Sequence, residues 1–209
     1  MYCDGVSIAD SYDAAARGYA EHLGDELAHK PLDRALLDRF CESTRGGTVA
    51  DLGCGPGHIA AHLALRGARV IAIDLSPNMI AVARERYPDL DARVGDLAAL
   101  DLPDESLAGA VLFYAIVHTP PEALSFRELR RVLAPGALAL VAFHVGSERV
   151  HVDELFGAPV SLDFQFHDPA AVAAALADAR LPVIEHTVRE PYPGVEHPSR
   201  RAYLLARAC

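Results

Sequence analysis

Val49–Gly57, the stretch VADLGCGPG, decides the fold of this chain. It begins as a short apolar segment and ends in three glycines, directly before the periodic run His58–Arg66. This order predicts a buried strand, a tight turn and a helix. Glycines let a backbone approach a ligand closely, and the start of a helix offers unpaired N–H groups. We therefore expect the turn to bind an anionic or polar ligand group.

The spacing of the glycines narrows the class of ligand that the turn is expected to bind. A dinucleotide fingerprint, G-x-G-x-x-G, would place its third glycine at position 58, where this chain has His58. A nicotinamide nucleotide is therefore the less favoured ligand. The glycines here are Gly53, Gly55 and Gly57, and Asp51 precedes them. This pattern, D-x-G-x-G-x-G, resembles motif I of the class I S-adenosylmethionine (SAM) dependent methyltransferases.

Asp74 follows the second predicted strand, Arg69–Ile73. It stands roughly 20 residues after Gly55, near the distance at which a strand-end carboxylate meets a ribose and can accept bonds from both hydroxyls. The string DLSPNMIAVAR that starts at Asp74 resembles the second motif of the same family. The resemblance implies that Leu75 lies beside the cofactor and that Met79 packs on the adenine. Met79 as an ordinary core residue is the alternative.

Asp96 and Leu97 follow a third predicted strand, Ala92–Gly95. The carboxylate can accept the exocyclic amine of an adenine while the leucine covers the ring. Asp96 as a turn residue or helix cap is the alternative. The carboxyl ends of parallel strands meet at one edge of an open sheet, so we expect the three strand ends to converge on one ligand.

The N-terminal residues 7–43 predict two helices from their apolar spacing. The segment SYDAAARGYAEHL resembles the helix that covers the bound cofactor in many small methyltransferases. This implies that Tyr12 and Tyr19 lie near the methionine end of SAM. The alternative is that both are half-buried aromatic residues of an amphipathic helix.

A nearly apolar fourth strand lies within Ser106–Val117 and predicts a central position with both faces covered. Tyr114 marks its end and is expected at the cofactor site. Pro120 is expected to open the next helix. A fifth strand, Ala137–Phe143, ends at His144, and the string LRRVLAPGALALVAF leading through it resembles the family closely.

Alternating apolar residues near position 160 predict one extended piece with an apolar face, in an insertion at about residues 147–167. We expect this insertion to shape the acceptor pocket. An alanine-rich helix from Asp168 and two closing strands, Val183–Arg189 and Arg201–Ala206, complete the chain.

The expected fold is α/β: a doubly wound, seven-stranded, mostly parallel sheet of the Rossmann-like methyltransferase type. Residues 1–209 are expected to form one domain, with a helical N-terminal cover over residues 1–45 and the core over residues 46–209.

Composition limits the partners. The formal net charge is −10 and no basic block occurs, which argues against nucleic acid and favours a small-molecule acceptor. No apolar run approaches the roughly 20 residues of a membrane helix, and the N-terminus does not resemble a secretory signal. We expect a cytoplasmic protein without a membrane partner; a homodimer is among the assemblies that the sequence allows.

The four cysteines form no C-x-x-C pair, so neither a zinc site nor a disulfide framework is expected. Cys54 in the glycine turn is interpreted as a small side chain that fits rather than as a nucleophile. Catechol methyltransferases that use magnesium carry a carboxylate at the end of the fourth strand, where this chain has Tyr114 and Ala115. We therefore predict no metal.

The resemblance implies methyl transfer from SAM, with S-adenosylhomocysteine (SAH) as product, to an oxygen, nitrogen or carbon of a small metabolite; natural-product tailoring is one such setting. His118, just past the fourth strand, is the first candidate base and His144 the second. The alternative for each is a structural histidine. FYAIVHTPP lacks the Asn or Asp of enzymes that methylate planar nitrogens. A SAM-binding protein without methyl transfer and a nucleotide-linked oxidoreductase are the rival functions.

Overall fold

The computed structural model describes residues 6–209, so Cys3 lies outside the described part. These residues form six α-helices and nine strands. The helices are α1 (Ile8–Leu23), α2 (Pro31–Ser43), α3 (His58–Leu65), α4 (Pro77–Arg86), α5 (Arg127–Val132) and α6 (Pro169–Asp178). The strands are β1 (Thr48–Leu52), β2 (Arg69–Asp74), β3 (Asp91–Val94), β4 (Leu107–Phe113), β5 (Leu133–His144), β6 (Arg149–Leu155), β7 (Ala158–Gln165), β8 (Val183–Arg189) and β9 (Arg201–Arg207).

The central sheet of residues 6–209 has seven strands in the order β3-β2-β1-β4-β5-β9-β8. Neighbouring strands from β3 to β5 pair in parallel, whereas β9 runs antiparallel to both β5 and β8. The seven-stranded, mostly parallel α/β prediction is confirmed. The order reverses between β1 and β4, and in open α/β sheets ligands bind outside the carboxyl ends of the strands at such a point.

Local sequence signals begin several helices where the structure has them. Ser7 and Asp10 form a reciprocal capping box at the start of α1. The Ser76 hydroxyl accepts from the N–H of Met79 at the start of α4, and Asp168 caps α6 in the same way through Ala170. Each cap satisfies a backbone donor that the helix itself leaves unpaired.

Two expectations about local structure are wrong. The helix predicted from Pro120 begins only at Arg127; a short 3₁₀ turn, Pro121–Ala123, precedes it. Leu124 between them has an extended backbone, which interrupts the helix and brings Phe126 into the core, where it is 3% exposed.

The insertion is not one extended piece but the antiparallel hairpin of β6 and β7. Phe156 and Gly157 form its turn, and both have positive φ, +51° and +82°. A two-residue turn with positive φ at both positions has a twist that matches the flanking strands, and this explains the tight turn between β6 and β7. None of the helices in residues 6–209 is long and apolar enough to cross a membrane.

A buried polar network fastens α2 to the last strands of the sheet. Asp33 is 1% exposed, and its carboxylate accepts hydrogen bonds from Arg189 at 2.8 Å and from the Tyr203 hydroxyl at 2.9 Å. Arg189 also pairs with Glu196 through two bonds of 2.6 and 2.8 Å. Burial of these charges requires that each has its partner, since an unpaired buried charge costs several kcal/mol.

Replacing Asp33 by alanine should lower the free energy of unfolding by about 2 to 3 kcal/mol, because charged hydrogen bonds are lost and Glu196 is the one carboxylate still hydrogen-bonded to Arg189 within residues 6–209. Urea unfolding followed by circular dichroism measures this change. Asp104→Ala is the matched control: its side chain is 75% exposed and pairs with Arg131, so the loss should stay below about 0.5 kcal/mol. Equal losses in the two variants would contradict the structural role of Asp33.

Candidate functional site

The glycine turn adopts a conformation that other residues rarely take. Gly53, Gly55 and Gly57 have φ values of +76°, +52° and +84°. A Cβ on Gly53 would lie 2.6 Å from the Cβ of Ala115, so the turn also packs closely against the chain after β4. The three glycines are therefore needed for the shape of the turn itself.

A cavity of about 410 Å³ opens beside this turn, at the carboxyl edge of the sheet. This volume is in the range of small-molecule binding sites. Half of the fourteen predicted site residues line it: Tyr12, Tyr19, Asp51, Gly53, Gly55, Tyr114 and His144. The other half do not: Gly57, Asp74, Leu75, Met79, Asp96, Leu97 and His118.

Asp51 lies near the end of β1, and its carboxylate is buried. It is 1% exposed, lines the cavity, and its Oδ2 atom has no hydrogen-bond partner among residues 6–209. Burial raises the pKa of this carboxyl to about 7. A buried acceptor without a partner is rare in folded proteins, so Asp51 offers a polar contact to a ligand in the cavity.

Asp74 braces the glycine turn from the neighbouring strand. Its Oδ2 accepts from the N–H of Gly55 at 2.8 Å, and its Oδ1 accepts from the N–H of Ser76 at 2.9 Å. Burial raises the pKa of this carboxyl, and the two backbone donors oppose that shift. A carboxylate has about four lone-pair sites, so both oxygens keep capacity for further donors.

Of the three strand-end acids that we expect to converge on one ligand, only Asp51 lines the cavity in this conformation. Asp96 is exposed, and its Oδ1 accepts from the N–H of Ala98, as in the turn alternative. Met79 is 1% exposed and packs with Ala16 and Ala20 of α1, as in the core alternative. Helix α1 thus covers Met79, whereas Asp96 faces solvent.

Leu75 and Leu97 flank the same edge outside the cavity; Leu75 is 45% exposed. Leu97 is half-buried and lies 3.8 Å from the Cβ position of Gly53. Gly57 is buried against Ala83 of α4 and caps α3 instead of facing a ligand.

His118 is held from both ring nitrogens. Its Nδ1 lies 2.8 Å from the carbonyl oxygen of Asp163, and its Nε2 lies 2.6 Å from the Tyr12 hydroxyl. A carbonyl only accepts, so Nδ1 carries the proton and Nε2 accepts from Tyr12. Burial lowers the pKa of His118, and the bond to Asp163 opposes this in part. The ring is therefore neutral near pH 7, with its basic nitrogen directed at Tyr12.

His144 lines the cavity at the end of β5. Its ring stacks on Phe166, with centroids 5.0 Å apart, and its Nδ1 lies 2.8 Å from the Ser199 hydroxyl. Burial lowers its pKa to about 3, and the positive charge of Arg201 adds to this. Such a ring stays neutral at physiological pH but is a weak base, which argues for contact with a ligand over proton removal.

Tyr114 ends β4 in a left-handed backbone conformation, with φ of +58°. Its N–H donates to the carbonyl of Ala142 at 2.8 Å, which holds the residue beside β5. Non-glycine residues in this region carry strain and are often found at functional sites. Tyr114 lines the cavity.

Several cavity residues were missed by the sequence analysis. Glu26, Lys30 and His58 form one wall, where Lys30 pairs with Glu26 at 2.6 Å and His58 lies 3.0 Å from the same carboxylate. Burial would raise the pKa of Glu26, but His58 and Lys30 hold it at about 2. The only sequence signal was the spacing of four between Glu26 and Lys30. Among residues 6–209 no group of three or more His, Cys, Asp or Glu side chains could hold a metal ion.

Comparisons with known proteins agree with this arrangement. A family profile described as "Methyltransferase domain" matches residues 49–136. The malonyl-[acyl-carrier protein] O-methyltransferase of Yersinia pestis is 31% identical over 166 residues, which are 78% of this chain and 59% of that protein. The chain spans about half the length of the curated relatives that it matches.

Two solved structures share the fold over nearly their whole length. The DhpI–SAH complex has a TM-score of 0.72 at 25% identity and covers 94% of this chain and 93% of its own. The [4+2]-cyclase SpnF has a TM-score of 0.69 at 20% identity, with coverages of 96% and 95%. Together with the D-x-G-x-G-x-G turn at the end of β1, these matches support a class I SAM-dependent methyltransferase.

Proposed function

We propose that this protein transfers a methyl group from SAM to a small metabolite. The observation that carries the proposal is the glycine turn at the end of β1, together with the unpartnered, buried Oδ2 atom of Asp51 in the adjoining cavity. An ammonium group is the partner that such a carboxylate favours, and the amino-acid tail of SAM has one.

The residues around the turn suit the other parts of SAM. Gly53 and Gly55 leave the backbone open to the methionine tail, and Asp74 keeps lone pairs for the ribose hydroxyls. We propose that Leu75, Asp96 and Leu97 contact the adenine of SAM. In this conformation Met79 packs against Ala16 and Ala20 of α1, while Leu75 and Asp96 are exposed.

SAM supplies a methyl group on a positively charged sulfur, so the protein mainly has to orient an acceptor and exclude water. Helix α1 and the β6–β7 hairpin exclude water, since both cover the cavity. Tyr19 and Tyr114 border the cavity beside the glycine turn and can orient the acceptor. If the acceptor is a hydroxyl, its proton can pass to the Tyr12 oxygen while Tyr12 gives its own proton to the neutral Nε2 of His118.

A second function is SAM binding without methyl transfer. The likeness to a [4+2]-cyclase favours this alternative, because it means that the same fold is found in a protein named for another reaction. Nucleotide-linked oxidation is less favoured, because His58 occupies the third glycine position of the dinucleotide fingerprint.

A binding and turnover experiment separates these functions. Calorimetry should show binding of SAM and SAH and much weaker binding of NAD. Incubation of the protein with SAM and a fractionated metabolite extract should then form SAH together with a methylated product. Tight SAM binding without SAH formation in any fraction would favour the second function, and tighter NAD binding would contradict the proposal.

Replacing Asp74 by alanine should weaken SAH binding by about 1.5 to 3 kcal/mol, roughly 10- to 150-fold in Kd, because charged hydrogen bonds to the ribose are lost. Asp74→Asn keeps one acceptor and should fall between the wild type and the alanine variant. Asp101→Ala removes an exposed carboxylate and serves as the control in the same calorimetric titration. An unchanged Kd for Asp74→Ala would rule out its ribose role.

Replacing His118 by alanine should lower the rate of methyl transfer to a hydroxyl acceptor by about 10²- to 10⁴-fold, with little change in SAH affinity. In the wild type the rate should rise with pH through a pKa below 6.5, because only the neutral ring accepts a proton. The rate measured across pH tests both statements. His151→Ala, on the outer face of the hairpin, is the control, and an equal loss there would contradict the assignment to His118.

A cytoplasmic location is part of the proposal, supported by the free thiols of Cys41, Cys54 and Cys209, since reducing compartments keep thiols free. The homodimer, the single domain over residues 1–209 and the absence of a metal stay predictions from the sequence.

A further inference from the structure

The wall of the cavity opposite the glycine turn is apolar and aromatic. The β6–β7 hairpin forms it with alternate side chains of one face, among them Val150, Val152 and Phe164. The opposite face of the same hairpin carries His151 and Asp163, which pair with each other at 3.0 Å. The hairpin is thus amphipathic, and its apolar face is directed at the ligand space instead of the protein core.

The cations at the cavity are already neutralised by the protein. Lys30 lies 2.6 Å from Glu26 and 3.5 Å from Glu196. Arg201 is 3% exposed, and its terminal nitrogens donate to the Ser199 hydroxyl at 2.6 Å and to the carbonyl of His197 at 3.1 Å. Its Nε lies 3.8 Å from Glu196, which balances its charge, but has no hydrogen-bond partner among residues 6–209. A carboxylate or phosphate on the acceptor would have to compete with these acids for its partner.

The acids at the cavity are occupied in the same way. Glu26 accepts from Lys30 and faces His58, and Glu196 pairs with Arg189 and Lys30. Asp51 is the remaining carboxylate of the lining, and the proposed function uses it for the ammonium group of SAM. A cationic acceptor would therefore enter an apolar space without an available counterion, which is unfavourable.

Two aromatic contacts connect the apolar wall to the candidate base. The Phe164 ring lies 5.0 Å from the His118 ring, centroid to centroid. Phe166 stacks on His144 with an angle of 15° between the rings. A flat ring that packs against Phe164 would therefore place a substituent next to His118 and the Tyr12 hydroxyl.

We propose that the methyl acceptor is an uncharged aromatic compound with a hydroxyl group, bound against the hairpin face of Val150, Val152 and Phe164. The inference rests on the proposed function. In the reaction the hydroxyl oxygen forms a bond to the methyl carbon while the bond from that carbon to sulfur breaks, and its electron pair stays on sulfur. The hydroxyl proton passes to the Tyr12 oxygen, while Tyr12 gives its own proton to Nε2 of His118, with which it is already hydrogen-bonded. A phenolic hydroxyl is acidic enough for this neutral imidazole, whereas an aliphatic alcohol is a much weaker acid.

Three probes with the same apolar body test the class of acceptor: 2-naphthol, 2-naphthoate and 2-naphthylmethylammonium. Each is titrated by calorimetry into the protein of residues 1–209, with and without saturating SAH. We expect 2-naphthol to bind at least about tenfold more tightly than either charged probe, because burial of an unpaired charge opposes binding. Binding of either ion as tightly as 2-naphthol, or binding of none of the three while SAH binds, would overturn the proposal.

Phe164→Ala should weaken 2-naphthol binding about tenfold and leave SAH binding unchanged, because the lost contact lies on the hairpin and not at the glycine turn. Asp153→Ala is the matched control: it lies on the same hairpin with its side chain 91% exposed. Retained SAH affinity shows that each variant is folded. Equal 2-naphthol affinity in the two variants would place the acceptor elsewhere, whereas failure of SAH to bind the wild type would contradict the proposed function instead.

Discussion

The structure depends on one contact between neighbouring strand ends, the hydrogen bond from the N–H of Gly55 to the Asp74 carboxylate. It joins the turn after β1 to the end of β2 at 2.8 Å. The N–H groups of Gly53 and Cys54 both donate to the carbonyl of Ile73, at 2.8 and 3.0 Å. The turn is thereby fixed against β2, and its positive φ values are maintained by contacts that only glycines allow. The glycine turn, fixed in this way, forms one side of the cavity.

Two elements that are distant in sequence cover the cavity. Helix α1 and the hairpin contact each other where Phe156 lies against Gly18; a Cβ on this glycine would be 2.6 Å from the Phe156 carbonyl oxygen. The N–H of Ser161 also donates to the Ser11 hydroxyl at 3.2 Å. Through His118, which touches Tyr12 and Asp163, both elements are connected to the end of β4. Cover and candidate base are therefore parts of one connected structure.

The charged residues that border the cavity pair with one another. Asp33, Arg189 and Glu196 bind α2 to the last strands, and Lys30 continues the network to the cavity wall. Because these groups satisfy one another, the ligand space is left mainly apolar although charged residues border it. This separation of structural charges from the ligand space is the basis of the inferred neutral acceptor.

Sequence alone was sufficient for the sheet, the glycine turn and the positions of Asp51 and Asp74, because these depend on local patterns: apolar strands, glycine spacing and caps. It could not determine which strand-end residues share a cavity. Met79 and Asp96 match the family's pattern, yet α1 covers the first and the second points to solvent. The pairing of Asp33 with Arg189 and the contact of Tyr12 with His118 join residues far apart in the chain. Tertiary packing decides such contacts, because neither partner carries a local signal of the other.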